Sequence, residues 1–231
     1  MIKVFKKRFV LISLVLIFLI GIFLRFYQLN TIPNGLHIDE AIGGVNGYFL
    51  LQTGRDSNNN VLPLQTEVFG DYNPTGYAYL TMLPINLLGL NEFSTRFPGA
   101  FLGGLTVVAV FLLALSIFKS KKIALLSALL LAISPWHIVF SRSSEETLVS
   151  LFFVVLGFAL VLLSLENKKL KLLIPGIISL AISLFVYFTP RIFVPLFLLT
   201  IIAFVPGIWE KSKNTRYRGD CLVARHQQYR L

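Results

Sequence analysis

The sequence has little charge and almost no cysteine. Only 14% of its 231 residues are charged, 55% are hydrophobic, and the mean hydropathy is +0.75. This composition is too apolar for an ordinary soluble domain, so it predicts an integral membrane protein. The one cysteine, Cys221, excludes an internal disulfide and every cysteine-based metal cluster. Helix packing in lipid must therefore hold the fold together.

Acidic residues are also scarce: the sequence has 11 Asp and Glu and 21 Lys and Arg, which gives a net charge of +10. A basic balance can indicate nucleic-acid binding. Here the basic residues occur in short clusters between apolar runs instead of along one solvated face, which is typical of membrane topology. We therefore expect the lipid bilayer as a partner, and no nucleic acid.

Six apolar runs approach or exceed the length of a membrane span, which needs about 20 residues. They predict an all-α polytopic membrane protein with spans at Phe9–Leu24, Phe97–Phe118, Ile123–Val139, Leu148–Leu165, Leu170–Phe188 and Ile192–Trp209. The first run follows "KVFKKR" without a small-residue cleavage pattern, and we interpret it as an uncleaved anchor. Arg25, at its end, is expected to snorkel to the interface.

The distribution of charge decides the status of a further apolar stretch, Thr75–Leu90, which contains Pro84 and Asn86. With six spans and a cytoplasmic N-terminus, 16 of the 21 Lys and Arg fall on the inner side, as the positive-inside rule requires. Counting the stretch as a seventh span would reverse most later clusters. We therefore predict an interfacial helix on the outer leaflet of the plasma (inner) membrane, with both termini inside.

This topology predicts two regions. Residues 1–209 form the transmembrane domain, in which an outer loop of about residues 28–95 is long enough to hold its own structure. Residues 210–231 form a polar cytoplasmic tail, whose Arg-rich composition fits a truncated, frame-shifted or split gene product. Within the loop, "HIDEAIGGVNGYFLLQTG" predicts a helix from near Asp39 to a terminator at Gly54. Its apolar contacts are expected from Ala41, Val45, Tyr48, Phe49 and Leu51.

Ionisable residues at a membrane face are expensive to hold, so a cluster of them is a functional hypothesis. The predicted topology places one such cluster outside: His37, Asp39, Glu40, Asp71, Tyr72, Asn73, Arg96, His137, Arg142, Glu145, Glu146, Tyr187 and Arg191. An outer carboxylate pair near several arginines suits a reaction that expels a lipid-linked phosphate while a carboxylate removes a proton from the acceptor.

Each member of the cluster also has a structural interpretation. Asp39 with Glu40, and Glu145 with Glu146, are equally explained as acids in the first turn of a helix, where they complement the helix dipole. Arginines beside apolar runs commonly act as interfacial anchors. The two outer histidines lack the i, i+4 spacing of a zinc helix. The glycines of "GGVNG" match no nucleotide-binding pattern and indicate close packing.

Several segments in a fixed order resemble the membrane-embedded glycosyltransferases of the C superfamily, in particular bacterial relatives of protein O-mannosyltransferases and of the lipid A aminoarabinose transferase. They are "HIDEA", "DYNPTGYAYL", "LNEFSTRFPGAFLGGLTV", "ALLLAISPWHIVFSRSSEE" and "FVYFTPR". The resemblance covers about Val10 to Trp209. It implies a transferase that takes a sugar from a polyprenyl-phosphate donor on the outer face and inverts the anomeric centre.

The resemblance also implies roles for individual residues. Asp39, followed by Glu40, matches the catalytic carboxylate that acts as general base on the acceptor hydroxyl. Glu145 or Glu146 matches the region of a second acidic residue, and these carboxylates would hold a divalent cation if one is used. Phosphate and substrate contacts would come from Arg96, Arg142, Arg191, Asn73 and Tyr187. Asn73 stands where the aminoarabinose transferases have a lysine, which argues against that subfamily.

Two other classes of function are alternatives to a transferase: a partial membrane subunit, and, less favoured by the sequence, a transporter. The chain could be an inactive or partial membrane subunit derived from such an enzyme, since family members usually continue through more spans. A transporter would have polar or broken spans near the bilayer midplane, whereas these runs are apolar in their centres. The sequence does not define the sugar or the acceptor, which could be a protein, a lipid or a glycan.

Overall fold

The computed structural model describes residues 2–144, 146–167, 169–200 and 203. The chain divides into two compact units, Met1–Pro190 and Arg191–Leu231. The predicted tail, 210–231, and the end of the sixth predicted span lie outside the described residues.

The described residues form nine helices and one hairpin. The helices are α1 (Ile2–Phe26), α2 (Ile38–Thr53), α3 (Gly76–Leu88), α4 (Glu92–Phe118), α5 (Lys121–Ala132), α6 (Pro135–Arg142), α7 (Glu146–Asn167), α8 (Leu170–Val186) and α9 (Pro190–Thr200). The antiparallel strands β1 (Gln65–Val68) and β2 (Asp71–Pro74) are the only sheet in this part of the chain. The predicted helical class is confirmed, whereas the hairpin was not predicted from the sequence.

The described helices support fewer spans than the sequence predicted. Three are long and apolar enough to cross a membrane: the Arg8–Phe26 portion of α1, α4 and α7. The bent pair α5 and α6 makes a fourth if it counts as one span, and α8 and α9 are apolar but shorter. The chain is therefore a multi-pass membrane protein with three to four candidate spans among its described residues.

The third predicted span, Ile123–Val139, is not a single helix, because α5 and α6 meet at an angle of 55°. Pro135, the first residue of α6, has no N–H to donate, and its ring disfavours helical backbone at the residue before it. Ser134 accordingly has extended dihedral angles (φ −66°, ψ 117°). The proline therefore breaks the apolar run into two helices.

Arg25 compensates for this break. Its side chain is fully buried and donates hydrogen bonds to the carbonyls of Ala132 (3.2 Å) and Leu131 (3.4 Å) at the end of α5. A third bond reaches Nδ1 of His137 on α6 (2.8 Å). Carbonyls freed by a break in a helix need such partners in lipid. The prediction that Arg25 snorkels to the interface is wrong, because the broken span needs its guanidinium inside the protein.

The predicted helix in the first loop is confirmed as α2. His37 is its N-cap: the Asp39 N–H donates to His37 Nδ1 (3.4 Å), and the His37 N–H donates to a Glu40 carboxylate oxygen (2.8 Å). This reciprocal pair is a capping box. Gly54 ends the helix at φ 68°, a left-handed conformation that glycine adopts without steric cost.

The packed face of α2 differs from the predicted one. Val45, Tyr48 and Phe49 are about 40% exposed, whereas the glycines of "GGVNG" are buried. A Cβ added at Gly44 would lie 2.6 Å from Thr95 Oγ1, so only glycine permits this approach to α4. The close packing predicted for these glycines is confirmed, and it moves the larger side chains to the outside.

Two apolar clusters support the elements around the first loop. One joins α1, α4 and α5 through Ile17, Val107, Phe111, Ala114, Ala124, Ala128 and Ala132. The other joins Tyr77 of α3, Val149 of α7 and Val186 of α8. The second cluster lies beneath the N-terminal ends of α3 and α7 and the C-terminal end of α8. It therefore fixes three of the chain segments that surround the cavity described next.

Candidate functional site

A polar cavity of about 280 Å³ lies among the first loop, the turn between α6 and α7, and the residue that follows α8. One face of α2 and the inner face of the hairpin supply much of its wall. The lining residues are Asp39, Ile42, Gly43, Asn46, Thr66, Val68, Asn73, Pro74, Thr75, Ala78, Ser143, Ser144, Glu146, Thr147 and Tyr187. Segments far apart in the sequence thus build one site.

Four of the predicted site residues line this cavity together: Asp39, Asn73, Glu146 and Tyr187. Asn73 comes from β2, where it pairs in register with Thr66 of β1. Tyr187 directly follows α8. Glu145 lies outside the described residues.

Asp39 lies at the second position of α2, and its side chain is 63% exposed. One of its carboxylate oxygens lies 3.5 Å from Nδ1 of His37, but that nitrogen accepts the Asp39 N–H and so has no proton to donate to the carboxylate. Glu146 is the first residue of α7. The two carboxylates of the cavity wall therefore both lie in first turns, where the helix dipole favours negative charge.

Glu40 and Arg96 form a buried ion pair away from the cavity wall. The Arg96 Nε–H and an Nη2–H donate to the two Glu40 oxygens at 3.2 and 3.1 Å. The remaining N–H groups donate to the carbonyls of Leu29, Pro33 and Gly35. A guanidinium has five N–H donors, so every one is used. This placement makes Arg96 a support for the turn between α1 and α2, and its contact with phosphate stays a prediction.

Arg142 has a comparable position at the other side of the same turn. It is 7% exposed, and its two terminal nitrogens donate to backbone carbonyls at the end of α1 and in the turn after it. Those carbonyls belong to Leu24, Arg25, Tyr27, Gln28 and Ile32. Arg142 therefore caps α1 and, like Arg96, holds residues 27–35 in place. Neither arginine belongs to the cavity wall.

The other members of the predicted cluster are scattered. Asp71 and Tyr72 are exposed on the hairpin, and Tyr72 is 57% exposed. His137 is fully buried beside Arg25, and its Nε2 has no hydrogen-bond partner within the described residues. Arg191 belongs to the second unit.

Most of the neutral polar groups of the cavity were not predicted from the sequence: Asn46, Thr66, Thr75, Ser143, Ser144 and Thr147. Of these residues, only Asn46 has a sequence pattern that could have placed it beside a predicted site residue. It follows Asp39 by seven residues, a spacing that brings two side chains to one face of a helix. Ser144 could not be found in this way, because a left-handed backbone (φ 57°) places it in the turn before α7.

No Lys or Arg contributes to the cavity wall in the described part of the chain. Positive potential comes instead from backbone, since the N-terminal ends of α2, α3 and α7 all reach the wall through Asp39, Thr75 and Glu146. Backbone N–H groups at helix N-termini bind anions. The arrangement can therefore accept a phosphate beside two carboxylates.

The residues of the cavity do not fit a cation held by the protein alone. Among the described residues, no group of three or more His, Cys, Asp and Glu side chains could hold a metal ion. The wall contributes two carboxylates, Asp39 and Glu146. Hard divalent cations take six or more oxygen ligands, so most of the ligands would have to come from substrate or water.

Tyr77 lies beneath the cavity and ties α3 to α4. Its hydroxyl donates to the Thr95 carbonyl at 2.7 Å, and its side chain is 1% exposed. Burial raises the pKa of the Tyr77 phenol well above its usual value of about 10. The phenol therefore stays protonated and acts as a hydrogen-bond donor.

A multi-pass helical membrane protein with two carboxylates in a polar, hydroxyl-rich cavity has the layout of a membrane-embedded transferase. The family model for dolichyl-phosphate-mannose-protein mannosyltransferase matches residues 72–217, which is more than half of the chain. The chain therefore belongs to this family of glycosyltransferases, and the resemblance stated from the sequence is confirmed. The matched residues include Asn73, Glu146 and Tyr187, whereas Asp39 precedes them. No curated protein and no solved structure matches the chain significantly.

Proposed function

We propose that the chain transfers a mannosyl-type sugar from a polyprenyl-phosphate donor to an acceptor hydroxyl, with inversion of the anomeric centre. The observation that carries this proposal is the shared cavity of Asp39 and Glu146. It combines carboxylates that can accept a proton with helix N-termini that can face a phosphate. The family to which the chain belongs supplies the mannosyl-type chemistry.

Asp39 is the general base in this proposal. Its carboxylate removes the proton of the acceptor O–H, and the acceptor oxygen forms a bond to the anomeric carbon. The bond between that carbon and the phosphate oxygen breaks, and polyprenyl phosphate leaves with the electron pair. Attack opposite the leaving group inverts the anomeric centre. The exposure of Asp39, whose carboxylate forms no ion pair with a lysine or arginine among the described residues, supports this role.

The structure favours Asp39 over Glu40 as the base. Glu40 is 2% exposed, and its two oxygens already accept from Arg96 and from the backbone of His37. An acceptor cannot reach a carboxylate in that position. Glu146 is our candidate for the second acidic residue, placed to orient the acceptor, and Tyr187 and Asn73 are candidates for sugar or phosphate contacts.

We propose that the phosphate binds to groups other than Arg96 and Arg142, which the family resemblance suggested. Arg96 donates to Glu40 and to backbone carbonyls, and Arg142 donates to backbone carbonyls, so we assign the phosphate to the N-terminal ends of α3 and α7. Arg191 stays a predicted phosphate contact. We further propose that the chain makes six passes and that the cavity faces the extracytoplasmic side of the plasma membrane, as its charge distribution favours.

The experiment is transfer of radiolabelled mannose from polyprenyl-phosphate mannose into acceptors of the same membranes, by chain reconstituted with its native lipid fraction. Asp39→Asn should lower the rate by at least about 100-fold, the usual contribution of a general base. Asp71→Asn is the matched control, because Asp71 lies in the same loop but outside the cavity wall. Comparable rates in the two variants would refute the assignment of Asp39. No transfer by the well-folded wild type would favour the partial-subunit alternative.

A further inference from the structure

Asn46 shares one face of α2 with the proposed base. Asp39, Ile42, Gly43 and Asn46 all line the cavity, and their spacing of three, four and seven residues is that of one helical stripe. Seven residues correspond to about 10 Å along the helix axis. Asn46 therefore lies two turns deeper in the wall than Asp39.

The side-chain amide of Asn46 has a fixed orientation. The residue is 4% exposed, and its Oδ1 accepts a hydrogen bond of 3.0 Å from the backbone N–H of Ser57. A backbone N–H can only donate, so the oxygen must face Ser57 and the Nδ2 group must point the other way. The loop after α2 thus sets the direction of the two Nδ2 donors.

The Nδ2 group of Asn46 has no acceptor among the described residues. Among the described residues, His137 Nε2 is the one side-chain nitrogen or oxygen that is buried from solvent and has no hydrogen-bond partner. Asn46 Nδ2 has no partner among them either, so it must be accessible to solvent, and it reaches the open space that its residue lines. Because the oxygen is committed to Ser57, the nitrogen is the part of this amide that can donate to a ligand in the cavity, in exchange for water.

We propose that Asn46 donates a hydrogen bond to a hydroxyl group of the transferred sugar and thereby helps to select it. This inference rests on the proposed function and names a specificity residue for the same site. An uncharged donor suits an uncharged acceptor, and the wall nearby is also uncharged: Thr66 and Thr75 share a hydrogen bond of 3.0 Å between their hydroxyls. Asn46 lies away from the proposed proton transfer, so it should affect binding of the donor more than the chemistry.

The test measures binding of two lipids to the full chain in nanodiscs: polyprenyl-phosphate mannose and polyprenyl phosphate without sugar. Asn46→Asp keeps an oxygen for the Ser57 N–H but removes the Nδ2 donors, and Asn46→Ala removes both. Asn58→Asp is the matched control, because Asn58 is exposed in the adjoining loop and outside the cavity wall. Thermal unfolding of each variant reports any general loss of structure.

We expect Asn46→Ala to bind the mannosyl lipid about tenfold more weakly, the effect of one lost hydrogen bond, and to bind the sugar-free lipid as the wild type does. Asn46→Asp also adds a negative charge to the cavity, so it should weaken both lipids, and the mannosyl lipid about tenfold more than the sugar-free one. Equal weakening of both lipids would show contact with the phosphate and overturn the proposal, as would unchanged binding of the mannosyl lipid. Binding that depends on Asn46 without any turnover would contradict the proposed function alone. A wild type that binds neither lipid would contradict both.

Discussion

Removing the guanidinium of Arg96 should destabilise the protein without acting at the cavity. Arg96→Ala leaves the carboxylate of Glu40, which is 2% exposed, without its two strongest partners. The carbonyls of Pro33 and Gly35 belong to exposed residues and can bond to water instead, whereas Leu29 is 1% exposed and its carbonyl loses a hydrogen bond worth about 1 kcal/mol. The dominant loss is therefore that of the buried ion pair, and breaking such a pair from one side costs about 3–5 kcal/mol.

This loss corresponds to a fall in the unfolding temperature of about 10 °C for a chain of this size. The assay is thermal unfolding of the purified chain in nanodiscs, with binding of polyprenyl phosphate measured below the transition. Arg55→Ala is the matched control, because Arg55 lies in the same loop and is exposed. We expect it to change stability by less than about 1 kcal/mol.

A double substitution sharpens the test. Glu40→Gln combined with Arg96→Ala removes the uncompensated charge, so the pair should cost less than the sum of the two single changes. The reasoning would be refuted if Arg96→Ala unfolds like Arg55→Ala and instead weakens binding of polyprenyl phosphate. Arg96 would then be the phosphate ligand that the sequence alone suggests.

Two further predictions concern the support of the cavity and its side of the membrane. Because burial raises the pKa of the Tyr77 phenol, its contribution to stability is complete below pH 10, the usual titration range of an unfolded tyrosine, and declines as the pH rises further. Tyr77→Phe should flatten that decline in unfolding measurements above pH 10 and cost about 1 kcal/mol at neutral pH, and an unchanged slope would contradict it. In a Cys221→Ser background, a membrane-impermeant maleimide should label Asn58→Cys but not Lys122→Cys in intact cells, and the reverse pattern would overturn the proposed orientation.

Periodicity and capping signals were sufficient for α2, the first helix of the loop, but not for the hairpin that follows it. The acids and the terminal glycine defined α2 to within a residue, since such signals act through neighbouring backbone groups. Its packed face was not predictable in the same way. Apolar side chains indicate burial in general, but here the close approach of α4 favours glycine on the buried face.

The roles of the arginines show the same division. The sequence placed Arg25, Arg96 and Arg142 beside apolar runs, and a position at a membrane face is compatible with an anchor, a phosphate ligand or a cap. In the structure Arg25 and Arg142 bind carbonyls at helix ends and Arg96 binds carbonyls of a turn, so each guanidinium meets a distant segment. Arg142 reaches residues of the first turn that precede it by more than 100 positions. No local pattern contains that information.

The sequence by itself determined the membrane class, the positions of most helices, the family resemblance and Asp39 as the candidate base. These follow from composition, from the 3.6-residue period and from short motifs, all of which act over a few residues. Only the tertiary structure buried Glu40 against Arg96, broke the third span at Pro135 and joined Asn46 to the cavity. Those outcomes depend on contacts between residues far apart in the sequence. At such contacts each buried hydrogen-bond donor and acceptor needs a partner, and no local pattern specifies which residue supplies it.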